Sequence, residues 1–176
     1  QGQPDQDAWQ AGGRVDWRYS ALTNFFGQVG VDSRSFSGAG VAGSEEDIVW
    51  AVGSRWSPDE LLSTSVTFDR GIAPSITTGG QNFTISTLSG ALRKEFLEYY
   101  FGRLVGAYSW IDYNATLPAA ATIRKDDYFS VYVEAGRELA DYGELSVFYN
   151  FIENDSNQGV FSFEDHTIGL KLGVDF

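Results

Sequence analysis

From one end of this 176-residue chain to the other, apolar and polar residues alternate at every second position. Side chains on an extended strand point to opposite faces in turn, so the pattern predicts strands with one apolar and one polar face. About nine such segments can be read. In the first, near Trp9 to Ala21, Trp9, Ala11, Val15, Trp17 and Tyr19 share one parity, and Gln10, Arg14, Asp16, Arg18 and Ser20 share the other. The next lie near Phe25 to Phe36, Asp47 to Trp56, Leu61 to Arg70, Asn82 to Glu95 and Glu98 to Tyr113. The last three are the most regular. Phe129, Val131, Val133 and Ala135 oppose Ser130, Tyr132, Glu134 and Gly136, and the segments holding Leu145 to Ile152 and Ile168 to Phe176 repeat the scheme.

The connections carry a second pattern. Short ones near Ala21 to Asn24, Ser57 to Leu61, Phe96 to Glu98 and Ala140 to Glu144 alternate with longer polar ones near Ser37 to Glu46, Gly71 to Gln81, Asn114 to Asp127 and Glu153 to Val160. Outer-membrane barrels have short turns at one mouth and longer loops at the other. Gly38-Ala39-Gly40 and Gly79-Gly80 read as turn chemistry. The acidic runs Glu45-Glu46-Asp47 and Glu153-Asn154-Asp155 read as loop charge, which divalent ions could bridge to lipopolysaccharide.

Alternation also suits a soluble sandwich or barrel, with the apolar face inward. A membrane barrel inverts this, turning apolar residues to lipid and polar ones to the lumen. Three features predict inversion. Trp9, Trp17, Trp50, Trp56, Tyr108, Trp110 and Phe176 fall on the apolar parity, where amphipathic rings suit the membrane–water interface. Arg14, Asp16, Arg18, Asp32, Arg34, Arg55, Asp69, Arg103, Glu134 and Lys171 fall on polar faces within strands and are expected to line a lumen and set its electrostatics. The sequence also closes on a strand ending in Phe176, like the terminal aromatic by which bacterial barrels are recognised for insertion. No run approaches about 18 apolar residues, the length of a membrane-spanning helix. Crossing a membrane would therefore require a closed barrel, the other structure that satisfies every backbone group in lipid.

Several chemistries find little support. A net charge of −12 argues against nucleic acid as a partner. There is no Cys for a disulfide or thiolate metal site, and His166 is the only histidine. On the apolar parity near a strand end, it suits a surface or interface role better than catalysis. Glu134 and Glu138, four apart on a strand, are about 13 Å apart, too far for a carboxylate pair. The expectation is no enzyme and no cofactor.

Arg124-Lys125-Asp126 leading into a strand, the following FSVYVEAGREL, the strand ELSVFYNFIENDSN with Ser156-Asn157, and the terminal GLKLGVDF resemble the closing strands of bacterial outer-membrane β-barrel porins. The resemblance covers about a third of the chain and rests on loosely defined motifs. It implies a barrel in a Gram-negative-type envelope, associated with general diffusion or polysaccharide export, and carries over no catalytic residues.

The expected fold is thus all-β: an antiparallel up-and-down transmembrane β-barrel over residues 1–176. Nine strands put the two ends on opposite sides of a membrane, whereas bacterial single-chain barrels have even strand numbers. That odd number suggests the C-terminal portion of a longer barrel; otherwise the barrel has about eight or ten strands, with the error near Thr77 to Thr87. The expected function is a passive porin-like pore for small hydrophilic solutes. The alternatives are a plugged barrel anchoring an envelope or surface assembly, and a soluble β-barrel holding an apolar ligand. Expected partners are membrane lipid, lipopolysaccharide, the barrel-assembly machinery during insertion, and further copies or a larger envelope complex.

Overall fold

The computed structural model describes residues 5–37, 43–74, 82–113, 123–139 and 143–174. They form nine strands: β1 (Asp5–Arg18), β2 (Thr23–Ser37), β3 (Gly43–Trp56), β4 (Leu62–Pro74), β5 (Asn82–Phe96), β6 (Tyr100–Tyr113), β7 (Lys125–Glu138), β8 (Gly143–Ser156) and β9 (Phe163–Val174). A single 3-10 turn, Gly159–Phe161, interrupts the link between β8 and β9. The strands pair in chain order as one up-and-down sheet, antiparallel throughout, with β1 and β9 as its two open edges.

Register fixes which side chains share a face. Leu92 lies opposite Leu104, Leu104 opposite Val133, Val133 opposite Tyr149, and Tyr149 opposite Ile168. The same parity carries Trp17 to Phe25 and Val29 to Trp50 at the other edge. A slip of one residue in any ladder would move a whole strand's apolar set to the other face. None occurs, so the apolar parity stays on one face across the sheet.

The strands run further than apolarity alone predicts. Glu45-Glu46-Asp47 and Glu153-Asn154-Asp155 are not loop residues; they lie in β3 and β8, where β2 and β7 pair alongside them. Ladder hydrogen bonds use backbone groups, so pairing continues where the side chains turn polar. The link between β2 and β3 shrinks to residues 38–42, as long as the short link at 57–61. The alternation of short and long connections holds at the remaining links. Gly38-Ala39-Gly40, Gly79-Gly80 and Phe176 lie outside the described residues.

Burial is inverted relative to a soluble core. On the apolar face Leu170 is 80% exposed, Ile168 76% and Val15 71%. Most buried side chains have the opposite parity: Asp32, Val49, Ala51, Phe101, Ser109, Asp126, Glu134, Ser146 and Asn154. No second layer covers them among the described residues, so sheet curvature shields these side chains and the polar face is concave. Three aromatic rings help fill it. Phe26 lies opposite Gly53, Phe101 opposite Gly136 and Phe148 opposite Gly169. A Cβ at those glycines would come within 2.5, 2.6 and 2.5 Å of the ring. Each ring covers bare backbone on the next strand, a known way to support glycine in a sheet.

Two predictions follow from local geometry. Gly136→Val forces its side chain into both Phe101 and Ser146 and should cost about 1–3 kcal/mol, read by denaturant unfolding; an unchanged midpoint would refute the packing. In the turn after β5, Leu97 (φ 53) and Glu98 (φ 59) hold left-handed conformations that disfavour side chains. Glu98→Gly should therefore raise stability by about 1 kcal/mol in the same assay.

Candidate functional site: a charged concave face

The ladders place the charged residues expected to line a lumen on the concave face. Arg14 lies opposite Gln28, Asp16 opposite Phe26, and Asp32 opposite Gln10. Arg34 lies opposite Ala8. Arg18 lies opposite Asn24, which lies opposite Arg55. Asp69 lies opposite Ala51, Glu134 opposite Phe148 and Lys171 opposite Ser146. Trp9, Trp17, Trp50, Trp56, Tyr108 and Trp110 lie on the other face. Of these, Trp17, Trp50, Tyr108 and Trp110 pack against other rings. Trp17 packs 5.6 Å from Tyr19 and from Phe25 beside one short link. Trp50 sits 4.8 Å from Phe68 at mid-strand, and Tyr108 lies 4.9 Å from Trp110, nearer the other end.

Most carboxylates on the concave face are tied. Asp32 accepts from Arg34 at 2.9 and 3.0 Å, and Asp16 from Arg14 at 2.8 Å. Glu134, 3% exposed, accepts from the Ser146 hydroxyl at 2.7 Å and has Lys171 at 3.8 Å. Lys171 also reaches Glu144 at 2.7 Å. Such partners offset the several kcal/mol that an isolated buried charge costs.

The guanidiniums are less evenly matched. Among the described residues, Arg18, Arg55 and Arg103 have no carboxylate within ion-pair distance. Arg103 lies directly opposite Arg93, a like-charge pair that weakens a sheet. Arg93 turns away to Glu95 and Glu138, both at 3.3 Å, and over the Phe101 ring at 4.6 Å. Arg103 has a contact to the Tyr132 ring at 5.9 Å. A cavity of about 310 Å³ is lined by Arg55, Arg93 and Arg103 around a floor of Ser63, Ser65 and Ala91. Planar guanidiniums around small hydroxyl residues suit carboxylate- or phosphate-bearing solutes.

Arg93 belongs to this group by the same strand parity as the other in-strand arginines. Counting outward from the tight turn sets it against Arg103, since the two stand five residues either side of Glu98. A second cluster ties down the opposite end. The Arg124 guanidinium lies between the rings of Tyr113 at 4.3 Å and Phe161 at 3.7 Å, and donates to Asp126. That hydrogen bond raises the Arg124 pKa above the ordinary arginine value. Asn157 adds a bond from its amide to the Ile123 carbonyl and accepts one from the Lys125 N–H. His166 falls on the apolar face, with Nδ1 2.7 Å from the Tyr149 hydroxyl and Nε2 2.6 Å from Glu164.

Comparison with protein-family models, curated proteins and solved structures yields no match to this chain. The geometry therefore carries the functional reading. If the Arg93–Arg103 opposition is kept for function at a cost in stability, Arg103→Gln should stabilise the sheet by about 0.2–1 kcal/mol. Thermal unfolding followed by circular dichroism would read this, and a lower midpoint would mean that Arg103 is structural.

Proposed function

We propose that this chain forms the wall of a β-barrel in a bacterial outer membrane and that the barrel is a passive, porin-like channel for small hydrophilic solutes. One observation carries the reading: a largely apolar, exposed face running across nine strands, backed by a concave face of paired and unpaired charges. In water, contiguous apolar patches rarely exceed a few hundred Å². Against lipid the same face is stabilising, and the concave charges meet water in a lumen. Strands of 12 to 15 residues exceed the roughly 9–11 that a tilted membrane strand needs. The Trp17 cluster beside one short link, and Trp110 nearer the other end of the strands, suit the two interfaces. Lipid and lipopolysaccharide would be the surroundings of the apolar face, reached through the barrel-assembly machinery.

Arg55 and Arg103, which no carboxylate answers among the described residues, give the channel its preference. Their positive field raises the local concentration of anions against the acidic background of the chain. The protein should need detergent to remain monodisperse, and in planar bilayers it should give discrete conductance steps. Arg55→Gln with Arg103→Gln should shift the reversal potential toward cations in a salt gradient. A monodisperse protein without detergent would sink the membrane reading. A silent bilayer with intact insertion would replace the channel by a sealed scaffold.

A further inference from the structure

Acidic residues outnumber Lys and Arg by 24 to 12 in this chain, so a cation has many carboxylates to draw on. The cavity of about 310 Å³ at Arg55, Arg93 and Arg103 departs from that balance, because no carboxylate lines it. Its cations come from three strands: Arg55 from β3, Arg93 from β5 and Arg103 from β6. Arg55 lies opposite Ser65, Ser63 opposite Arg93, and Arg93 opposite Arg103. The small side chains of Ser63, Ser65 and Ala91 leave room between the three long ones.

The neighbouring acids are engaged outside this space. Register sets Glu134 against Arg103, but Glu134 accepts from the Ser146 hydroxyl at 2.7 Å and has Lys171 at 3.8 Å. Glu95 and Glu138 hold Arg93, each at 3.3 Å. Charge-assisted bonds run nearer about 2.7–2.9 Å, and these two use only part of the guanidinium's donor set. Two unanswered positive charges and a loosely held third therefore share one small space, an arrangement that repels itself until an anion enters.

The directions of the donors narrow the ligand. A carboxylate is planar and takes one guanidinium side-on. Here guanidiniums enter from β3 on one side and from β5 and β6 on the other, with the Ser63 and Ser65 hydroxyls between them on β4. A phosphoryl group offers three strong acceptor oxygens about one centre. It can accept from several strands at once, and its two charges match Arg55 and Arg103.

We propose that this cavity is a binding site for a phosphate dianion, free or as a monoester, and that binding draws Arg93 away from Glu138. The site deepens the anion preference given above, and arrival through a lumen rests on the channel reading; binding itself needs no channel. The test is isothermal titration calorimetry of the full chain in zwitterionic detergent at low salt and about pH 8, where phosphate is mostly dianionic. Inorganic phosphate should titrate saturably. R55Q and R103Q should each weaken it at least about tenfold, as loss of hydrogen bonds to a charged group predicts. E138Q frees Arg93 and should tighten binding by about twofold to fivefold. Lys94 is the next residue after Arg93 and lies on the opposite, exposed face, so K94Q removes the same charge and should change affinity less than about twofold. Succinate should bind at least about tenfold more weakly than phosphate. Glycerol phosphate separates the sources: if it binds too, the ligand is the phosphoryl group, and if inorganic phosphate binds alone, the site takes the free anion. No saturable heat, K94Q as damaging as R103Q, an unchanged E138Q, or succinate as tight as phosphate would each overturn the proposal. Conductance steps without phosphate binding would remove this site and leave the channel, and phosphate binding by a protein silent in bilayers would remove the channel alone.

Discussion

A backbone ladder that keeps its parity through every hairpin is what the rest of this structure depends on. Each strand contributes one N–H and one C=O per residue, and a sheet is the arrangement that pairs them while sending alternate side chains to opposite faces. Shift β6 by one residue against β5, and Arg103 would stand among Leu92 and Leu88 while Leu104 joined the charges. The tight turn at Leu97 and Glu98 tolerates left-handed backbone at two ordinary residues, and that strain is offset by the register it fixes. Where the ladder fails, between β3 and β4, charged side chains satisfy part of the backbone instead. The same requirement thus explains both the regular sheet and its exception.

The distribution of burial follows from having one layer. A helix or second sheet packed on the apolar face would make a soluble core; none packs there among the described residues. Cohesion then comes from ladders, from rings laid over Gly53, Gly136 and Gly169, and from ion pairs on the concave side. Those pairs are not interchangeable in strength. Arg14–Asp16 lies at an exposed edge, where solvent screening leaves it worth little. Glu134 is buried and held by Ser146 and Lys171, so removing a partner there would strand a charge. The unpaired Arg55 and Arg103 stand out against this background of matched charge.

Parity made much of this legible in advance. The period of two assigns Arg18, Arg55 and Lys171 to one face and Trp17, Trp56 and Trp110 to the other without any knowledge of pairing. Strand ends were harder to see. Apolarity is what marks a strand in sequence, and it fades in Glu45-Glu46-Asp47 although the backbone continues to pair. Contacts between distant segments were also hidden. Arg124, Tyr113 and Phe161 belong to three separate stretches, and nothing in any one of them announces the stack. The early end of the β3–β4 ladder, at Trp50 opposite Arg70, leaves still less trace, because pairing is a property of two strands and only Pro74 hints that one of them will stop.

The open edges pose a question that strand direction constrains. In an up-and-down sheet of nine strands, β1 and β9 run the same way. Joining them to each other makes a parallel seam, with slanted bonds slightly weaker per residue than antiparallel ones. Joining β9 of one copy to β1 of another about an axis through the barrel also makes parallel seams, one at each junction. An all-antiparallel closure needs an odd number of further strands between the two edges. In lipid no edge can be left bare, because each unpaired N–H and C=O costs several kcal/mol there. In water a bare edge invites pairing with other chains. Either way the edges must be covered, and the sense of the seam, parallel or antiparallel, distinguishes self-closure or self-assembly from completion by additional strands.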